Sequence, residues 1–121
     1  MTLRLRLWAA GLMGLLGCGC VGPKTLFYWG RYETMLHSDY SHPEKFSAVE
    51  DIRLLEEDLA KADAVHQRPH PGLHAELGYL YYTQGRLDAA QREFVAEKTL
   101  FPESAVFMDR LIRKLEAPPA T

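Results

Sequence analysis

The stretch GLHAELGYLYYTQGRLDAAQREFVAEKTLFPES, Gly72–Ser104, decides how this chain folds. It divides at Gly85, a residue type that enters the left-handed conformation ending a helix at little cost. On either side, Gly72–Thr83 and Arg86–Phe101 read as two helices. Pro102 stops the second, because a proline cannot continue a helix. Leu77 and Tyr81 share a face of the first helix, and Ala90 and Phe94 share a face of the second. Gly78 gives up about 1 kcal/mol of helix propensity relative to alanine. That loss makes sense where an antiparallel partner comes close. Ala90 is small for the same reason, while Tyr81 and Phe94 fill the space between the helices.

Taken together, Leu77, Gly78, Tyr81, Ala90, Phe94 and Pro102 resemble the spacing of one tetratricopeptide repeat. His74 and Glu97 depart from that pattern, standing where a large aromatic and a small residue are usual. One such unit cannot bury a core, and about three are normally needed, so the flanking segments must complete the stack. Downstream, Ser104 can cap a last helix to about Leu115, with Phe107, Leu111 and Leu115 on its apolar face. Met108, Leu111 and Leu115 fall where the core residues of a next repeat would stand, which makes this helix a cap.

Upstream, Phe46, Val49, Ile52, Leu55, Leu59 and Ala62 recur at steps of three and four and predict a helix running to His66. Its opposite face carries Glu50, Arg53, Glu57 and Lys61. Its start is open: Ser41 and Ser47 each have a glutamate three residues on, the capping-box spacing. RPHPG, 68–72, stops it. Before it, Arg31–Tyr40 reads as a shorter helix with Tyr32, Met35 and Leu36 on one side. No strand-like alternation appears. The predicted fold is all-α: a tetratricopeptide-like stack of about two helical hairpins and a C-terminal capping helix.

The first residues read differently. Arg4 and Arg6 precede an uncharged run, Leu7–Leu16, whose ten helical residues would span only about 15 Å. That is half a bilayer's hydrocarbon core, so an export signal fits better than a transmembrane helix. The run ends in Leu15-Leu16-Gly17-Cys18, which resembles the lipobox of bacterial lipoproteins. The resemblance implies cleavage before Cys18, with a diacylglyceryl group on its thiol and an N-acyl chain. No other cofactor is expected. Cys20 fits worse, lacking a branched apolar residue three places upstream. Gly19, where an aspartate would mark inner-membrane retention, implies the outer membrane, with the periplasmic face expected. The chain thus divides into a signal, 1–17; a lipidated tether and aromatic segment, 18–30; a helical domain, 31–116; and a short tail, 117–121. Of the 14 basic residues Arg4 and Arg6 leave with the signal, against 16 acidic ones. The mature domain is therefore mildly acidic and shows no basic stripe, which argues against nucleic acid as a partner.

LFYWGRYE, HPGLHAELGYLY and EKTLFPESAVFMDRLIRKL together resemble a family of small bacterial lipoproteins, the domain of unknown function 4810 family. The resemblance implies a lipoprotein with a tetratricopeptide-like fold. It also points to a partner lipoprotein similar to the curli secretion channel, and it carries over no catalytic residues.

Chemistry-bearing residues are few in pattern. His66, His70 and His74 are spaced by four, but Pro69 and Pro71 break the helix face they would share, so no metal site is expected and they read as loop and surface histidines. His37 and His42 flank a turn. Ser38, Asp39 and His42 are close only along the chain, and Glu93 and Glu97 read as a solvated face. An enzyme is not expected. Phe27, Tyr28, Trp29 and Tyr32 are the unusual feature, four aromatics crowded just after the tether. They can seal the end of the stack, as helical repeats require, form a partner surface, or lie at the headgroup level of the membrane. The expected function is a non-catalytic scaffold or assembly factor for an envelope complex, binding an envelope protein or peptide. The alternative is a self-associating structural lipoprotein, a homo-oligomer.

Overall fold

The computed structural model describes residues 25–45 and 47–116. The signal segment, Cys18, Cys20, Phe46 and the tail 117–121 lie outside the described residues. Five α-helices pack as adjacent pairs: α1 Tyr32–Ser41, α2 Ala48–Ala64, α3 Leu73–Thr83, α4 Leu87–Leu100 and α5 Ala105–Glu116. Short 3-10 turns, Pro43–Lys45 and Pro102–Ser104, precede α2 and α5. The described chain is all-α, as its periodicity predicts.

Of the two serines that could start α2, Ser47 does so: its hydroxyl accepts the Glu50 N–H at 3.4 Å. The Glu50 carboxylate turns to Arg53 instead of reaching back, so the reciprocal half of a capping box is missing. Arg53 also pairs with Glu57, and Glu57 with Lys61 at 3.9 Å, along the face expected to be polar. On the other face Ala48, Ile52, Leu55 and Ala62 are buried. Val49, expected in that stripe, is exposed; its neighbour Ala48 takes the inward place at the first turn.

The helices α3 and α4 form the closest pair. A β-carbon added to Gly78 would stand 2.6 Å from Phe94 Cε1 and 3.2 Å from the Ala90 carbonyl. The absent side chain is what lets the Phe94 ring lie across α3. Gly85 turns between the two helices at φ 71°. Leu73, Leu77, Leu80, Tyr81, Ala89, Ala90 and Phe94 join Ala48, Ile52 and Leu55 of α2, Met35 and Met108 in a single core.

The last helix faces inward by Met108, with Leu111, Ile112 and Leu115 packed beside it, while Phe107 is exposed. Of the two residues the sequence offers at the start of this face, Met108 is the inward one, as its repeat position predicts, and Phe107 is not. Ser104 does not cap α5; its hydroxyl donates to the Phe101 carbonyl at 2.8 Å within the preceding turn. Lys98 and Asp109 pair at 2.6 Å and tie α4 to α5.

Two buried carboxylates make the same joint in successive hairpins. Asp58, on α2, accepts the Arg31 N–H at 2.7 Å, at the start of α1. Glu97, on α4, accepts the Gly72 N–H at 2.8 Å, at the start of α3. Each places an anion where an unsatisfied helix N-terminus favours one. At each joint a glycine holds positive φ, Gly30 at 50° and Gly72 at 93°. Gly30 has a further reason, since a β-carbon there would meet Asp58 Oδ2 at 2.2 Å.

Candidate functional site

The segment that precedes α1 lies across the loop between α2 and α3. Gln67 Nε2 donates to the Thr25 carbonyl at 2.7 Å and to its hydroxyl at 3.1 Å. Tyr28 donates its N–H to the Arg68 carbonyl at 2.8 Å, and its own carbonyl accepts the His70 N–H at 3.2 Å. Those two bonds make one isolated parallel β-bridge, Tyr28 to Pro69, which no alternation in the sequence announced. Proline serves at the bridge because the hydrogen bonds use the groups of its neighbours.

Side chains complete the clasp. The Trp29 indole stacks on the His70 imidazole, 4.8 Å between centroids and 4° between planes. Tyr32 meets the same imidazole at 4.3 Å and 45°. His70 is 0 % exposed, so the reading of it as a surface histidine fails. Its Nδ1–H donates to the Pro71 carbonyl at 3.0 Å, and Nε2 has no partner among the described residues. Phe27 packs edge-on against Phe101 at 5.9 Å. The Arg68 guanidinium lies over both rings, 5.1 Å from Phe101 and 6.0 Å from Phe27, and donates to the Leu100 carbonyl at 2.6 Å. The four aromatics singled out in the sequence therefore meet here. Arg68, which lies over Phe27, was not singled out, and His70 was weighed only as a metal ligand and set aside.

The other titratable residues are arranged for packing and pairing. His74 and Glu93 join α3 to α4 at 2.7 Å, and Glu97 is buried, so neither glutamate lies on a solvated face. His66 sits exposed in the turn after α2. His42 pairs with Glu44 at 3.4 Å, and His37 Nε2 lies 3.4 Å from the Ser41 hydroxyl. His42 donates its backbone N–H to the Ser38 carbonyl at 2.8 Å, and no side-chain hydrogen bond joins Ser38, Asp39 and His42 among the described residues. Among the described residues no group of three or more His, Cys, Asp or Glu is arranged to hold a metal ion. No described helix is long and apolar enough to cross a membrane. Burial, then the hydrogen bond it donates to Glu56, pushes the Tyr81 hydroxyl up to about 12, and Arg86 lies 4.3 Å over its ring. Tyr81 thus stays a protonated donor at neutral pH.

Carboxylates crowd one another between α1, α2 and α3: Asp39 and Glu50 act on Asp51, and Asp39 and Asp51 act on Glu76. Burial first, and this repulsion second, holds Asp51 and Glu76 above the ordinary carboxyl range. Asp51 Oδ2 is buried with no partner among the described residues. A folded-state pKa above the unfolded one means the native state binds more protons. The stabilising contribution is then fully present below the unfolded pKa and is lost as pH rises through the folded value. Glu76→Gln is expected to raise the melting temperature at pH 7 and to flatten the gain seen in the parent on mild acidification. Melting curves across mildly acidic to neutral pH check this, and equal slopes for the two proteins would rule it out.

The family model described as "Domain of unknown function (DUF4810)" matches residues 26–111, which takes in the clasp and nearly all of the helical stack. No curated protein and no solved structure matches the chain.

Proposed function

The chain belongs to the DUF4810 family, and from that premise we propose that it is a lipid-anchored scaffold or assembly factor of the bacterial outer membrane. The sequence Leu15-Leu16-Gly17-Cys18 supports the anchor, with Cys18 carrying the diacylglyceryl and N-acyl chains and the domain on the periplasmic face. The glycine-mediated approach of α3 and α4, and the repeated carboxylate joint of the two hairpins, support a tetratricopeptide-like stack. One observation carries the scaffold reading: α3 leaves Tyr79 and Tyr82 uncovered on a helix whose other side is core, and Tyr40 is exposed at the end of α1. Exposed tyrosines one turn apart suit a protein or peptide surface, because they give contact area at low cost in side-chain entropy. The partner the family resemblance suggests is a lipoprotein similar to the curli secretion channel.

A photo-crosslinking amino acid at Tyr79, irradiated in living cells, is expected to yield an adduct with an envelope protein. The Tyr79→Ala/Tyr82→Ala variant should lose that protein from gentle detergent extracts while melting like the parent. Co-purification unchanged in the double variant would refute the tyrosine face as the docking surface. A second reading rests on α5, which leaves Val106 and Phe107 exposed at the open end of the stack. These would cover one another in a self-associating lipoprotein, and sedimentation that depends on concentration would favour it.

A further inference from the structure

We propose that the surface around Leu26 and Val65, at the root of the tether, rests on the bilayer and fixes which end of the helical stack faces the membrane. This rests on the reading of Cys18 as the lipid anchor. Thr25 cannot wander over the domain, because Gln67 holds it by two hydrogen bonds and the Tyr28 bridge follows three residues later. Residues 19–24 separate it from Cys18, a reach of at most about 25 Å even when fully extended. That whole reach is about one and a half times the length of α3, eleven residues at about 1.5 Å each. The end of the stack that holds Thr25 is therefore kept close to the headgroups.

The chemistry of that end suits the contact. Leu26 is 79 % exposed and Val65 59 % exposed, two branched apolar side chains left uncovered beside each other. They line a shallow groove with Thr25, His66, Gln67 and Arg68, and none of the six is acidic. Apolar side chains rimmed by an arginine and a histidine match a surface of acyl chains beneath phosphates. His66 holds a left-handed backbone at φ 52°, a conformation a non-glycine residue adopts at a cost. Its effect is to turn the chain sharply after α2.

The full chain, expressed with its signal and carrying Cys20→Ser, would receive a polarity-sensitive fluorophore at Val65→Cys or, as the distal control, at Gln84→Cys in the turn after α3. The probe surface is a vesicle of phosphatidylethanolamine with a minority of phosphatidylglycerol, some of it brominated on the acyl chains. The expected result is a protein that floats with the vesicles, with a blue shift and several-fold stronger bromine quenching at position 65 than at position 84. Flotation with equal, water-like emission at both positions would overturn the proposed surface while leaving the anchor standing. Failure to float would overturn the anchor reading itself, and the proposed surface with it.

Discussion

Replacing Phe94 by alanine should cost about 3–5 kcal/mol of folding free energy, a large part of the 5–15 kcal/mol typical of a domain. The ring is only 2 % exposed and lies in the interval left by Gly78. Two terms add. The buried ring loses its transfer free energy, and the vacated space cannot be refilled from α3, because the residue facing it has no side chain. Ala90, on the same helix, is too small to swing across. Phe94→Leu keeps part of the volume and should cost clearly less than the alanine. The check is urea unfolding followed by far-ultraviolet circular dichroism, with the midpoint shift converted through an unchanged slope. A loss within about 0.5 kcal/mol, as for a surface substitution, would mean that α3 and α4 do not meet at Gly78.

That contact was legible in the sequence because each residue's size has a local meaning there. A glycine inside a helix, a small residue and a large ring at repeat spacing imply close approach by themselves. The same periodicity misplaced Val49 and left both Phe107 and Met108 eligible, each near a helix start. In a first turn, either of two adjacent residues satisfies the stripe, and only the neighbouring helix decides which one points inward. Ala48 and Met108 won those places.

The buried carboxylates were harder to see, although a signal existed. Asp58 falls three residues after Leu55 and four before Ala62, and Glu97 falls three after Phe94, so both interrupt buried stripes. A carboxylate in such a place must find donors, and here the donors are N–H groups at the starts of helices far along the chain. The burial of His70 had no local signal. Pro69 and Pro71 mark a loop correctly, but the rings that cover the histidine come from Trp29 and Tyr32, whose place follows from the clasp and from no periodicity. The aromatic segment read as a cap, a partner surface or a membrane contact thus has its backbone and Phe27 committed to the domain, while Trp29 stays 43 % exposed.

Asp58→Ala is expected to release that clasp and α1 from the rest of the stack. In the parent, Asp58 Oδ2 accepts the Arg31 N–H, and the Arg31 guanidinium lies 3.5 Å from Oδ1 and 2.9 Å from Glu57. A hydrogen bond to a charged acceptor contributes about 1.5–3 kcal/mol, and a carboxylate at a helix start adds about 0.3–1 kcal/mol. The ion pair itself adds little, because the arginine side chain is 41 % exposed and keeps Glu57 as a partner. The sum, about 2–4 kcal/mol on these scales, should fall unevenly. The core contributed by α1 is slight, with Met35 alone buried on that helix, so it is held mainly by this joint, the Tyr28 bridge and the packing of Trp29 and Tyr32 on His70. Amide hydrogen exchange should therefore quicken across residues 27–41 while α3 and α4 keep most of their protection. Asp58→Asn, which retains an acceptor oxygen but loses the charge, should give an intermediate change. Uniform acceleration through all five helices would show instead that α1 unfolds only with the whole domain, and that the carboxylate joint is not its hinge.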